Sequence, residues 1–215
     1  MTIEQEIRFY FSSEKLIFWQ EKLSQLEYRG QYYELTVMYD NPNPAYTFYA
    51  PSVDGRFRLR VANPLPGKDL DSIERRGLVS WKQRIPEFQN EKIRHENEIE
   101  FHFNPSELQA VQMMLETVLK CPRISSYERR RSYYDGDGVH ITLDEFPFGL
   151  MLEFEVDEKT ENIKERLTRV LTRFGLSLQQ ASTYSCDDMY RSLCLKKKKQ
   201  QKPDILFNDS DMPCL

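Results

Sequence analysis

Several segments of this chain carry charged residues at every second position with apolar residues between them, and this pattern restricts the fold more than any other feature. Glu4, Glu6 and Arg8 alternate with Ile3, Ile7 and Phe9, while Arg56, Arg58 and Arg60 alternate with Phe57, Leu59 and Val61. Glu153 and Glu155 alternate in the same way with Leu152, Phe154 and Val156. Side chains at i and i+2 on a strand share a face, so each segment reads as a β-strand with one charged and one apolar face. Lys82 and Arg84 share a face of LVSWKQRI, as do Arg94, Glu96, Glu98 and Glu100 of KIRHENEIEFHF; Arg129 and Arg131 share one with Arg130 opposite. On any one strand such alternation also describes an ordinary wet sheet face. Two features shift the balance toward a charged interior, while periodicity alone leaves both readings open. The charges are Glu and Arg rather than a mixture with Thr, Gln and Ser, and the two paired-carboxylate strands lie at opposite ends of the chain.

The remaining pattern predicts an α+β chain, mainly antiparallel β, with about eight strands and three or four helices. After the strand over residues 3–11, apolar Leu16, Phe18, Trp19, Leu23 and Leu26 fall at helical spacing over 14–29, with Ser12 or Ser13 as cap and Gly30 as stop. YYELTVMYD, TFYA and GRFRLRVA form a β-rich stretch interrupted by NPNP, and residues 63–77 read as a loop. A second helix starts at Asn104-Pro105-Ser106-Glu107 and runs through LQAVQMMLETVLK. The region from Arg123 to Phe146 reads as a hairpin turning within Asp135–Gly138, because Asp-Gly pairs tolerate positive φ. LMLEFEV is a strand, KTENIKERLTRVLTRFG an amphipathic helix stopped by Gly175, and a short helix falls near 185–194. Residues 1–195 read as one domain, and the Lys-rich stretch 196–215 as a disordered tail.

At 215 residues with 40% hydrophobic and 30% charged residues, the chain can bury a sizeable core. A net charge of -4 argues against a broad nucleic-acid footprint. The N-terminus carries charges where a signal peptide needs an apolar core, and no apolar run approaches the ~18 residues of a membrane span. Cys121, Cys186, Cys194 and Cys214 show neither CxxC spacing nor a paired framework, and with His95, His102 and His140 they complete no zinc pattern. A cytoplasmic protein, monomeric or a homodimer, is expected. Trp19, Leu23 and Leu26 read as core contacts, His95 as a surface residue and Lys196–Lys199 as a solvated run. Tyr184 reads equally as a core residue or as one near the mouth of a cavity.

Two strands presenting paired carboxylates suit a hard cation such as Mg²⁺ or Mn²⁺, which takes oxygen ligands, and Asp144 offers a further oxygen. Guanidinium groups give bidentate, charge-assisted hydrogen bonds to phosphate oxygens, and lysine adds a point charge.

The opening IEQEIRF resembles the ExExK/R signature of the CYTH superfamily, the triphosphate tunnel metalloenzymes. The likeness continues in order through YELTVMYDNPN, FRLRV, VSWKQRI, KIRHENEIEF, YERRRSYY, ITLDEFPFGLMLEFEV and STYSCDDMYRSL, covering residues 3–195. The resemblance implies a closed eight-stranded tunnel with helices packed outside and a lumen lined by acids and bases. It implies a triphosphate-bearing small molecule as ligand (inorganic triphosphate, ATP or similar, at most a 5′-triphosphate RNA end) and Mg²⁺ or Mn²⁺ as cofactor. Glu4 and Glu6 match the first carboxylate pair, Glu153 and Glu155 the last, and Asp144 the aspartate before it. The two pairs are thereby implied as catalytic and, with Asp144, metal-binding. Arg8, Arg58, Arg60, Lys82, Arg94, Arg129 and Arg131 match the phosphate-binding positions. Arg8 stands where many members have lysine, and ERRR departs from a pattern that often begins with lysine, which leaves the register of Arg129–Arg131 open by one. Hydrolysis of the triphosphate is the preferred expectation. A class IV adenylyl cyclase, making cyclic AMP and pyrophosphate from ATP, uses the same carboxylates and arginines and stays open, as does a non-catalytic triphosphate-binding module.

Overall fold

A computed structural model describes residues 2–66, 74–88, 91–156 and 162–215. Eight strands alternate in direction around a closed barrel: β1 (Thr2–Phe11), β2 (Glu27–Tyr39), β3 (Gly55–Pro64), β4 (Arg76–Arg84), β5 (Arg94–Phe103), β6 (Arg123–Gly136), β7 (Val139–Phe146) and β8 (Gly149–Val156). They pair in the order β2-β3-β4-β5-β1-β8-β7-β6, and β6 returns to β2, which leaves no open edge among the eight. Four helices complete the chain: α1 (Leu16–Leu23), α2 (Leu108–Met113, continued by a π-helical turn to Val118), α3 (Ile163–Arg173) and α4 (Cys186–Lys196).

The barrel inverts the usual sheet arrangement. Apolar side chains face outward, and helices cover many of them. Ile7 and Phe9 of β1, Ile141 and Leu143 of β7, and Leu152 and Phe154 of β8 are buried under Trp19 and Leu23 of α1 and Leu167, Val170 and Leu171 of α3. A second outer cluster places Val37, Tyr39, Leu59 and Val61 beneath the segment carrying Leu115 and Cys121. The charged faces are therefore turned inward. Trp19 and Leu23 are core residues as expected, at 3% and 0% exposure.

Local chemistry explains the turns. Asp137 and Gly138 join β6 to β7 with both φ angles positive, at 57° and 69°, the geometry of a tight hairpin matched to strand twist. Gly175 follows α3 at φ 76°. Ser185 caps α4: its hydroxyl accepts from the Asp188 amide, while its own amide donates to the Asp188 carboxylate.

The structure differs from the sequence expectations in four places. The helix expected over 14–29 ends at Leu23, because β2 begins at Glu27 and pairs with β6 from Asp135 onward. Gly30 is no helix stop; at φ 123° it occupies a β-bulge, where the pairing slips between Tyr28 and Gly30. TFYA is a turn, not a strand, held by the Asp40 carboxylate, which accepts from Thr47 Oγ1 at 2.6 Å and the Phe48 amide at 2.8 Å. The stretch from Lys196 is placed against the barrel rather than left disordered. Asp204–Ile205 (β9) pairs in parallel with Ser126–Tyr127 of β6, Ile205 is buried, and the Leu215 amide donates to the Phe148 carbonyl at 2.8 Å. Ile205, Met212 and Leu215 supply the apolar contacts that make this possible, and the lysine run conceals them in composition. Within the loop expected over 63–77, residues 67–73 lie outside the described residues, as do residues 157–161 before α3.

Candidate functional site: a charged tunnel closed at one end

The inward faces enclose a cavity of about 290 Å³, at the lower edge of the range for small-molecule pockets. Eight-stranded barrels are just wide enough to be filled by side chains or to hold one small ligand. Among the described residues, nine basic and eight acidic side chains line this cavity, so neither sign of charge dominates it. One end is closed by the 182–187 segment and α4. The carbonyl of Thr183 accepts from Arg84 and Arg94, at 3.2 and 3.0 Å, and the carbonyl of Tyr184 from the Tyr10 hydroxyl at 3.2 Å. Tyr184 itself is half exposed there. At the other end Glu100 and His102 are exposed, which identifies the mouth.

Strand register assembles an acidic wall from three neighbouring strands. Glu4 of β1 lies across from Glu96 of β5, and Glu6 across from Glu155 of β8. Carboxylate oxygens of Glu4, Glu6 and Glu96 lie within 4.8 Å of one another, all buried. Neither oxygen of Glu6 accepts a hydrogen bond of acceptable geometry, although the Arg8 and Arg94 guanidiniums lie against one of them. Burial, opposed by Arg8 and reinforced by Glu153, Glu4 and Glu96, pushes the Glu6 carboxyl up to about 8. Burial and Glu4 push Glu155 up to about 9. Burial acts the same way on Glu96, but Arg94, Arg8 and Lys82 reverse it and hold that group below the usual carboxylate range. Converging, buried, hard oxygen donors that resist ionisation together fit a divalent cation of the Mg²⁺ or Mn²⁺ type.

The basic side chains divide by how fully they are occupied. Arg131 makes a bidentate pair with Asp144, both contacts at 2.6 Å, and reaches Glu153 at 3.3 Å. Arg129 bridges Glu34 at 2.7 Å and Asp144 at 3.0 Å. Arg8 donates to Glu153 at 2.5 Å, and Lys82 holds Glu4 and, at 3.0 Å, Glu98. Arg58 differs: its only ion pair among the described residues is Glu98 at 3.9 Å, and its Nε has no hydrogen-bond partner. Arg60 donates to Thr36 at 3.1 Å and lies 3.5 Å from Glu34. Arg58 and Arg60 thus keep donors directed into the lumen.

The structure brings Glu4, Glu6, Arg8, Arg58, Arg60, Lys82, Arg94, Arg129, Arg131, Glu153 and Glu155 to one tunnel. It also fixes the register of the Arg129–Arg131 run, with Arg130 outside at 46% side-chain exposure against Glu145. Asp144 is set behind the lumen wall, fully buried between Arg129 and Arg131 rather than beside Glu4 and Glu6. Sequence reasoning passed over Glu34, and it noted Glu96 and Glu98 only as sharing the Arg94 face. The same two-residue alternation marks all three. His95 stacks on Phe88 outside the lumen, with ring centroids 4.1 Å apart.

The titrations set a pH dependence. Glu6 and Glu155 have folded values above those of the unfolded chain, so their contribution to stability is complete below pH 4.5 and is lost as pH rises through about 8 and 9. Glu34, lowered to about 2 chiefly by Arg129 against burial, contributes above its unfolded value and loses this as pH falls toward 2. In chelator, the thermal midpoint should fall as pH rises from about 6 to about 9.5. Mg²⁺ or Mn²⁺ should remove most of that slope, because cation binding favours the ionised carboxylates. A midpoint flat across this range in chelator would contradict the assignment.

Family models and curated protein sequences return no match to the chain. Solved structures do. A Vibrio parahaemolyticus protein described as a candidate adenylate cyclase matches with TM-score 0.65 and 21% identity, over 87% of this chain and 97% of its own. The PH1819 protein of Pyrococcus horikoshii matches with TM-score 0.64 and 19% identity, over 91% and 99%. The Hippeastrum protein HpAC1, described as a candidate adenylyl cyclase with a dominant triphosphatase activity, matches with TM-score 0.58 and 18% identity, over 94% and 98%. At such identity the likeness establishes the fold: this chain has the antiparallel tunnel architecture that the order of its motifs led us to expect. No described helix is long and apolar enough to cross a membrane.

Proposed function

We propose that this chain is a metal-dependent phosphohydrolase that binds a triphosphate, inorganic or organic, inside its tunnel. The observation that carries this reading is the meeting of the Glu4, Glu6 and Glu96 carboxylates, within 4.8 Å of one another, with guanidiniums that keep free donors in one closed lumen. Glu4, Glu6 and Glu96 would hold Mg²⁺ or Mn²⁺, with Glu153 and Glu155 alongside. When bound, the cation supplies Lewis-acid neutralisation of phosphate charge and lowers the pKa of associated water. Arg58 and Arg60 take the phosphate oxygens first, since their donors are the least committed. Lys82, Arg94 and Arg8 sit between the acidic wall and the phosphate chain and balance the charge of both. Arg129 and Arg131, anchored by Glu34 and Asp144, keep this arrangement rigid and present their remaining N–H groups to the chain. Carboxylates of the acidic wall accept hydrogen bonds from a water aligned with the terminal phosphorus. A P–O bond forms to that water while the bridging P–O bond breaks. The shortened phosphate chain leaves on the bridging oxygen, a wall carboxylate takes the water's proton, and the guanidiniums stabilise charge on the equatorial oxygens.

The dominant triphosphatase activity described for HpAC1 favours hydrolysis. The cyclase reading draws on the description of the Vibrio protein, and it requires a 3′-hydroxyl rather than water as nucleophile. Incubation with inorganic triphosphate, ATP and other nucleoside triphosphates under each metal should release orthophosphate. Cyclic AMP and pyrophosphate from ATP would replace this reading by the cyclase. Release of no product from any of these compounds would sink both in favour of a binding module.

A further inference from the structure

The closed end of the tunnel is a thin partition between two cavities. Arg56 and Asp187 line the lumen, and the same two side chains line a second pocket beyond it, which also contains Arg191 and Lys202. Asp187 is the second residue of α4. Its neighbour Asp188 is committed to the helix cap, accepting from Ser185 Oγ at 2.7 Å. Asp187 instead shares the lumen lining with Arg56 and Arg58; burial raises its carboxyl, and the two guanidiniums oppose that rise. Arg58 in turn lies 3.9 Å from Glu98, and Arg58, Glu98 and Asp187 line the same lumen. Arg56 is held in place by Asp54 at 3.0 Å and by the Tyr49 ring beneath it at 5.2 Å. A phosphate chain entering from the mouth and following β3 therefore meets Arg60 and Arg58 and then, at the closed end, the Asp187 carboxyl beside Arg56.

We propose that Asp187 is the length stop of this tunnel: by closing the row of cations with an anion, it admits a chain that ends in an unsubstituted phosphate at Arg58 and rejects a longer one. This rests on the phosphohydrolase reading and adds to it which substrates are refused. A further phosphate beyond Arg58 would have to lie against the Asp187 carboxyl, and substituents on the distal phosphate would have to pass through it. Removing the carboxylate would join the lumen to the outer pocket, where Arg191 and Lys202 offer further positive charge. Discrimination between ligands by a placed repulsive group is the economical device here, because the arginines alone favour the more highly charged chain.

The test compares inorganic tripolyphosphate with inorganic tetrapolyphosphate on the full chain, as kcat/KM with Mg²⁺ and as calorimetric binding in chelator. The parent should favour tripolyphosphate by about tenfold or more in both measurements, the scale of one repulsive contact. Asp187→Asn, which keeps the shape and removes the charge, should reduce that ratio by about tenfold, and Asp187→Ala at least as much. A parent indifferent to chain length, or two folded variants with the parent's ratio, would overturn the length stop while leaving the hydrolase reading intact. Discrimination in binding with no cleavage of either chain would remove the hydrolase reading and keep the stop. A parent that neither binds nor cleaves tripolyphosphate would end both.

Discussion

Glu6→Gln should lower metal-dependent turnover by about 10²–10³-fold, the scale of losing one preorganised electrostatic group, while the metal-free protein melts no lower than the parent. The two halves of this result have one cause. Glu6 is wholly buried, its oxygens accept no well-formed hydrogen bond, and its carboxyl is pushed up to about 8. Near neutral pH the metal-free protein therefore holds it mostly protonated, and an amide of the same shape costs little. In chelator the variant should lose part of the alkaline decline in stability, since one of the two raised acids is gone. It should also gain less midpoint from added Mg²⁺ or Mn²⁺. Turnover at the parent's level with normal metal stabilisation would remove Glu6 from the cation site.

Asp144→Ala should destabilise the fold by about 3–5 kcal/mol, the cost of breaking a buried ion pair and leaving its partners uncompensated. Asp144 is fully buried and joins two guanidiniums: Arg131 through two contacts at 2.6 Å and Arg129 through one at 3.0 Å. The adjacent Arg130→Ala supplies the contrast. Its side chain is 46% exposed, 3.7 Å from Glu145 and over the Phe207 ring at 4.4 Å, so its removal should cost no more than about 1 kcal/mol. Urea denaturation of the three proteins measures both values. Equal losses for the two variants would mean that the lumen wall is far wetter than its burial indicates.

Much of the barrel was legible because strand alternation is a local property. Lumen-facing Glu4, Glu6, Arg58, Arg60, Glu153 and Glu155 can be read from spacing, and the Asp137-Gly138 turn from the backbone freedom of its residues. The helix over 14–29 was overextended because helical periodicity continues through Leu26, whereas pairing of Glu27 with Asp135 is a contact between residues far apart in sequence. The tail was misjudged for the converse reason. Its composition is that of a solvated segment, and only the apolar cluster of Tyr127, Phe146, Phe148 and Tyr190 gives Ile205 a buried site and Met212 and Leu215 partly buried ones. Glu96 and Glu34 were visible as alternating acids, but nothing local marked one as a neighbour of Glu4 and the other as an anchor for Arg129.

The amino-acid sequence by itself determined which side chains share a face, because a strand's two-residue period depends on nothing beyond the backbone. It could not decide whether those faces meet water or one another. That was decided by closure of β6 onto β2 and by the burial of the apolar faces under α1, α2 and α3, which turned the charges inward. Closure also decided roles among like residues. Arg58 keeps a free donor while Arg131 is bound to Asp144, and Glu6 resists ionisation while Glu96 is held charged, since each group's electrostatics depends on neighbours contributed by other strands.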